Sequence, residues 1–160
     1  MFILWIFGDR KSISKKTTVK KVSSALKNGT FTVSGKGKMP ESAMPKVAQK
    51  KKIKKIVIKN GVTELPEDAF RDCSKATVIT IAPTVNRIGA MAFYNTGVEK
   101  ISIPKKAGNL GYGMLQNCKN LKKLTIPGNF WAREPKKAAN KKNLIGSLIL
   151  GKEKCRDNNF

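Results

Sequence analysis

The chain has 160 residues and a mass of 17.6 kDa, with 40% apolar residues, enough for one modest hydrophobic core. Lys and Arg number 33 against 10 acidic residues, a formal charge of +23, and histidine is absent, which excludes His-based triads, His general bases and the usual His ligands of zinc. The 3 cysteines lack CxxC spacing and supply neither a disulfide framework nor a redox motif. Composition therefore points away from an enzyme, and no cofactor or metal is expected.

The positive charge is nearly all lysine, 28 Lys to 5 Arg. Nucleic-acid readers rely on Arg for bidentate phosphate and guanine contacts, so a lysine excess reads first as a solvated surface. In chain order, Met1–Phe7 (MFILWIF) has no preceding cation and no small-residue cleavage site after it, and is not a convincing signal peptide. It fits either a strand with Phe2, Leu4 and Ile6 on one face or the remainder of a leader. No stretch of about 18 apolar residues is present to span a bilayer. Residues 20–40 are expected to cap the first coil of a stack, with the run from Leu26 to Val33 contributing strand. Lys50 to Lys55 (KKKIKK) has no aromatic interleaving and reads as a solvated face; the competing reading is a nucleic-acid or heparin-type patch.

From Ile53 onward the chain repeats. The pattern Ile53, Ile56, Ile58, Val62, Leu65, Ala69, Phe70, Cys73 returns as Ala76, Ile79, Ile81, Val85, Ile88, Ala92, Phe93, Thr96, and again as Val98, Ile101, Ile103, Ala107, Leu110, Met114, Leu115, Cys118. A fourth copy starts with Leu121, Leu124, Ile126 and Phe130 and loses register at Arg133; Ile145, Leu148 and Leu150 fit a divergent fifth turn. The anchors Ile56, Ile79, Ile101 and Leu124 lie 23, 22 and 23 residues apart, a leucine-rich-repeat period. Alternation within each strand buries Ile56 with Ile58 and Ile79 with Ile81, and likewise Ile101 with Ile103 and Leu124 with Ile126. Pro83, Pro104 and Pro127 then stop the strands, and Gly89 and Gly111 suggest a second sharp bend.

The segment Ile79-Thr-Ile81-Ala-Pro83-Thr-Val85-Asn-Arg-Ile88-Gly89-Ala-Met-Ala92-Phe93, with the Ile56 to Cys73 copy, resembles the BspA-type leucine-rich repeats of bacterial surface proteins. Gly29 to Pro40 is similar to the strand-and-turn segment that often precedes such blocks. The third copy departs from the pattern, with Met114-Leu115 in place of Ala-Phe. The resemblance implies a right-handed stack of coils with a parallel β-sheet and short irregular or helical returns. It also implies a non-catalytic, extracellular or cell-surface scaffold for adhesion or host-protein binding. The expected organisation is a basic N-terminal segment with capping strands over 1–52, repeats over 53–127, and a Lys-rich loop with a divergent repeat or cap over 128–160. A monomer is expected.

Candidate contact residues emerge from the alternation. Between the buried members of each pair stand Val57, Thr80, Ser102 and Thr125, and two residues earlier Lys55, Val78, Lys100 and Lys123. Lys55, Val57, Thr80, Lys100, Ser102, Lys123 and Thr125 thus predict a flat, wettable, cationic face suited to an acidic protein or anionic glycan. The alternative is a basic polyanion-binding module, for nucleic acid or acidic glycan, acting through Lys50 to Lys55 and the loop bearing Lys136, Lys137, Lys141 and Lys142. Cys73 and Cys118 share a repeat position two coils apart, about 10 Å, too far for a disulfide, and read as buried thiols. Asp72, Asn95 and Asn117 form a column read as Asx turns bonding local backbone, against a metal-ladder alternative. Glu64, Glu67, Asp68 and Asp72 read as ion-pair partners of nearby Lys rather than catalytic carboxylates. Trp131 fits a core cap or a contact residue, and Cys155 an accessible thiol or part of a frayed tail.

Overall fold

The computed structural model describes residues 20–126. The expectations on Met1–Phe7, Trp131, Cys155, the 128–143 loop and the divergent fifth turn lie outside them. Strand β1 (Ser23–Lys27) turns through Asn28 and Gly29, at φ 48° and 74°, into β2 (Thr30–Ser34), an antiparallel hairpin. An Asn-Gly pair with both φ positive matches the twist of its flanking strands. After the two-residue β3 (Gly37–Lys38) come a 3₁₀ turn at Glu41–Ala43 and a single helical turn, α1 (Val47–Lys50). The coils then run in order: β4 (Lys55–Ile58) and β5 (Val62–Leu65), β6 (Val78–Ile81) and β7 (Arg87–Ile88), β8 (Lys100–Ser102) and β9 (Asn109–Leu110), and β10 (Lys123–Thr125).

Among the described residues two sheets form, a six-stranded one in the order β1-β2-β4-β6-β8-β10 and a four-stranded one in the order β3-β5-β7-β9. Apart from the β1-β2 hairpin every pairing is parallel. The strands anchored on Ile56, Ile79, Ile101 and Leu124 are sequential neighbours, as the repeat register requires. The hairpin extends that sheet by one further parallel rung, setting Phe31 against Ile56.

A third face of each coil is built from turns. Asp68, Phe70 and Asp72 donate their amides to Ala90, Ala92 and Tyr94 of the next coil, and Met91, Phe93 and Asn95 donate to Tyr112, Met114 and Gln116, all within 2.7 to 3.0 Å. Each coil carries two left-handed residues four apart on this face: Asp68 with Asp72, Met91 with Asn95, and Gly113 with Asn117. Asx and Gly tolerate this conformation best, which explains five of the six residue types there. Gly89 and Gly111 serve differently from the expected sharp bend. Neither has positive φ, and a Cβ on Gly89 would stand 2.5 Å from the Glu67 nitrogen, so glycine is required there by the approach of the preceding coil's backbone.

The core runs through the coils as columns. Phe70 and Phe93 are fully buried and stack face to face, with ring centroids 5.6 Å apart and planes 5° apart. Phe31 meets Phe70 edge-on at 6.0 Å, ending the column under the hairpin. Ala69 and Ala92 fill the small-residue positions beside it with no exposed surface.

Candidate interaction surface

Because side chains alternate along a strand, the inward isoleucines fix which residues of the six-stranded sheet face solvent. Cross-strand register aligns Thr30, Lys55, Val78, Lys100 and Lys123 in one outward row. In a second row, Thr32 opposes Val57, Val57 opposes Thr80, and Ser102 opposes Thr125. Lys55, Thr80, Lys100, Ser102, Lys123 and Thr125 are exposed and Val57 is half-buried. The structure therefore brings all seven predicted residues onto one face. Thr30 and Thr32 extend both rows. The repeat spacing misses them, although Gly29-Thr-Phe-Thr-Val carries the same alternation as the later strands.

Electrostatically this face differs from the other sheet. Its two rows hold Lys55, Lys100 and Lys123 and no carboxylate, and Lys100 and Lys123 are direct register neighbours. Like charges on adjacent strands disfavour the pairing, so their placement leaves a local positive potential rather than a stabilising contact. On the four-stranded sheet the corresponding row is Lys38, Glu64, Arg87, Asn109, of mixed sign, with Lys38 Nζ 3.2 Å from Glu64 Oε1. The acidic residues serve elsewhere too. Glu99 pairs with Lys122 at 3.3 Å just before the strands begin, and Asp68 and Asp72 pair with Arg71, at 3.1 and 3.8 Å, rather than with lysine. Hydrogen bonding to Asp68 raises the pKa of Arg71, whose guanidinium lies 4.5 Å from the centroid of the Tyr94 ring.

The Asx column corrects the local-turn reading. Asn95 Nδ2 donates to Asp72 Oδ1 at 2.9 Å, and Asn117 Nδ2 donates to Asn95 Oδ1 at 3.0 Å, so the side chains bond from coil to coil. Their left-handed backbone holds the three at the same corner, one coil apart. Cys73 and Cys118 are buried free thiols. Burial pushes the Cys73 thiol up to about 12 and raises Cys118 as well, despite the latter's contact with Thr96 Oγ1 at 3.3 Å. In the KKKIKK run Ile53 is fully buried while Lys51, Lys52, Lys54 and Lys55 are exposed around it, so the run is the solvated entry to β4.

Stacked coils, parallel sheets and an interior of repeated apolar columns define a leucine-rich-repeat solenoid. Residues 46–145 match the six-copy BspA type leucine rich repeat region, and the chain belongs to that family. Among solved structures it is similar to a leucine-rich cell surface protein from Faecalibacterium prausnitzii A2-165, at 27% identity and a TM-score of 0.46, over 46% of this chain and 20% of that one. A leucine-rich repeat protein from Eubacterium ventriosum ATCC 27560 matches at 22% identity and a TM-score of 0.44, over 68% of this chain and 42% of that one. The chain thus spans about a fifth and about two fifths of these relatives. No curated protein matches it in sequence. No helix among the described residues is long and apolar enough to cross a membrane.

Proposed function

We propose that this chain is a non-catalytic interaction module of a cell-surface protein and that the outward face of the six-stranded sheet is its contact surface for an acidic partner. Membership of a repeat family whose members act as protein-interaction scaffolds supports the class, and a solenoid presents equal positions of every coil as one extended surface. A single observation carries the choice of face: its register rows collect three lysines, threonines and a serine with no carboxylate, whereas the other sheet mixes charges of both signs. Display at the cell surface is what the resemblance of the Ile79 to Phe93 segment to the BspA-type repeats of bacterial surface proteins implies.

The test is a binding screen of extracellular-matrix proteins, sulfated glycans and nucleic acids against wild type and a Lys100→Glu, Lys123→Glu double variant at two salt concentrations. The wild type binds an acidic ligand, the double variant binds it more weakly, and the gap narrows at high salt as screening shortens the reach of the field. Equal binding by both proteins rejects this face. A preference for nucleic acid that depends on Lys50 to Lys55 favours the polyanion-binding alternative.

A further inference from the structure

The six-stranded sheet is not evenly paired. β4 and β6 register through four residue pairs and β8 and β10 through three, but β6 and β8 make only the single pair Val78 with Lys100. Beyond that pair, a groove opens between the exits of the two strands, lined by Thr80, Ile81, Pro83, Ser102, Ile103 and Pro104. Lys105 and Lys106, which follow Pro104 beyond the exit of β8, line it too. At Thr80, Ile81 and Pro83 it continues into a second depression that reaches Lys59 and Asn60. The floor is aliphatic and prolyl: Ile103 and Pro104 are buried, Ile81 is half-buried, and Pro83 is exposed. Lys59, Lys105 and Lys106 are exposed, and among the described residues no Asp or Glu lines either part.

We propose that this groove seats an acidic segment of a protein partner, one apolar side chain on the Ile81-Pro83-Ile103-Pro104 floor and carboxylates toward Lys59 at one end and Lys105 and Lys106 at the other. The inference deepens the proposed contact surface and rests on it, since the groove begins at Thr80 and Ser102 of the sheet face. Dimensions agree. From the exit of β4 to that of β8 is two strand spacings, about 10 Å. In an extended segment the side chains two residues either side of a central one share its face, so two carboxylates flanking one apolar side chain lie about 13 Å apart and match the order of cation, aliphatic floor and cation across the coils. A glycan fits less well, because its hydroxyls over the Ile81-Pro83-Ile103-Pro104 floor would lose water, and the neutral polar side chains among the lining residues are only Thr80, Ser102 and Asn60. Nucleic-acid bases would find no aromatic ring or guanidinium to stack on among these lining residues.

The test uses two fluorescein-labelled peptides, one carrying Glu-Glu-Leu-Glu-Glu and one carrying five Glu in a row, with heparin as a third probe. Against wild type the leucine peptide binds several-fold tighter than the all-Glu peptide in spite of its smaller charge. Ser102→Trp fills the groove without changing charge and lowers leucine-peptide affinity about tenfold, well beyond its effect on the all-Glu peptide, with Thr80→Trp as a second filling variant should the first fail to fold. Lys105→Glu with Lys106→Glu weakens both peptides, more at low salt than at high salt. The proposal is overturned if the all-Glu peptide or heparin binds wild type as well as the leucine peptide does, if filling the groove changes nothing, or if the leucine peptide does not bind. Binding lost on Lys100→Glu with Lys123→Glu but untouched by both groove changes overturns the groove alone and leaves the sheet face standing.

Discussion

Phe93→Ala is the substitution through which the coil stack is most directly measured. Phe93 is fully buried, stacks on Phe70 at 5.6 Å, and donates its amide across the next interface to Met114, so the cavity left behind touches both neighbouring coils. Truncating a buried Phe to Ala costs about 3 to 5 kcal/mol, and a domain of this size holds roughly 5 to 15 kcal/mol in all. In a stack whose stability sums over nearest-neighbour interfaces, losing that much at the middle coil uncouples the coils on either side. Phe93→Leu separates cavity from aromatic contact, because the third coil already carries Leu115 at the equivalent position. Leucine keeps most of the volume and forfeits the ring pair, which is worth about 0.5 to 1.5 kcal/mol. Urea unfolding followed by circular dichroism reads both. The alanine variant is expected to show a much lower midpoint, with a broadened or two-step transition, and the leucine variant a small shift at unchanged slope. An alanine variant within about 0.5 kcal/mol of wild type, the range of ordinary surface changes, refutes the register of the column.

Asn95→Ala breaks the middle of the Asx ladder and leaves at φ 53° a residue without the polar side chain that lets Asn adopt the left-handed region, so it destabilises by about 1 to 2 kcal/mol, whereas Asn95→Gly keeps the backbone free of strain and loses only the side-chain bonds; urea midpoints that rank alanine above glycine contradict this. In a Cys155→Ser background, Cys73 and Cys118 are expected to resist a thiol-exchange dye in native buffer and to react fully in guanidinium; prompt native reaction contradicts their burial. Because their folded pKa values are raised, the unfolded chain loses thiol protons first as pH climbs. Stability from this source is complete below about pH 9 and falls as pH rises toward about 12, while no loss from it occurs on acidification; urea midpoints measured across that range check the direction.

Much of the stack is legible in the sequence because its dominant signal is a period. Each inward isoleucine pair is long-range in the fold yet local in the chain, and register between coils comes from equal spacing. Features without apolar periodicity escape. Strands β7 (Arg87–Ile88) and β9 (Asn109–Leu110) have two residues each, too short for alternation, so the four-stranded sheet is invisible until coils are stacked. The β1-β2 hairpin has its signal in Asn28-Gly29, which is a turn pair at any position. The Asx corner is visible as a column, but choosing between local backbone and the next coil as its partner requires the rise between coils. The groove depends on β6 and β8 failing to pair beyond Val78 and Lys100, a departure from the repeat that equal spacing of its anchors conceals.

Lysine footprinting reads whether the outward face of the six-stranded sheet is the contact surface. Brief acylation of the protein, free and saturated with an acidic ligand from the screen, followed by peptide mass spectrometry, reports each lysine separately. Protection is expected at Lys55, Lys100 and Lys123, with unchanged labelling of Lys38 on the other sheet and of the exposed Lys75 and Lys119 at the coil corners. Protection spread evenly over all of these, or confined to Lys38 and the corners, contradicts it.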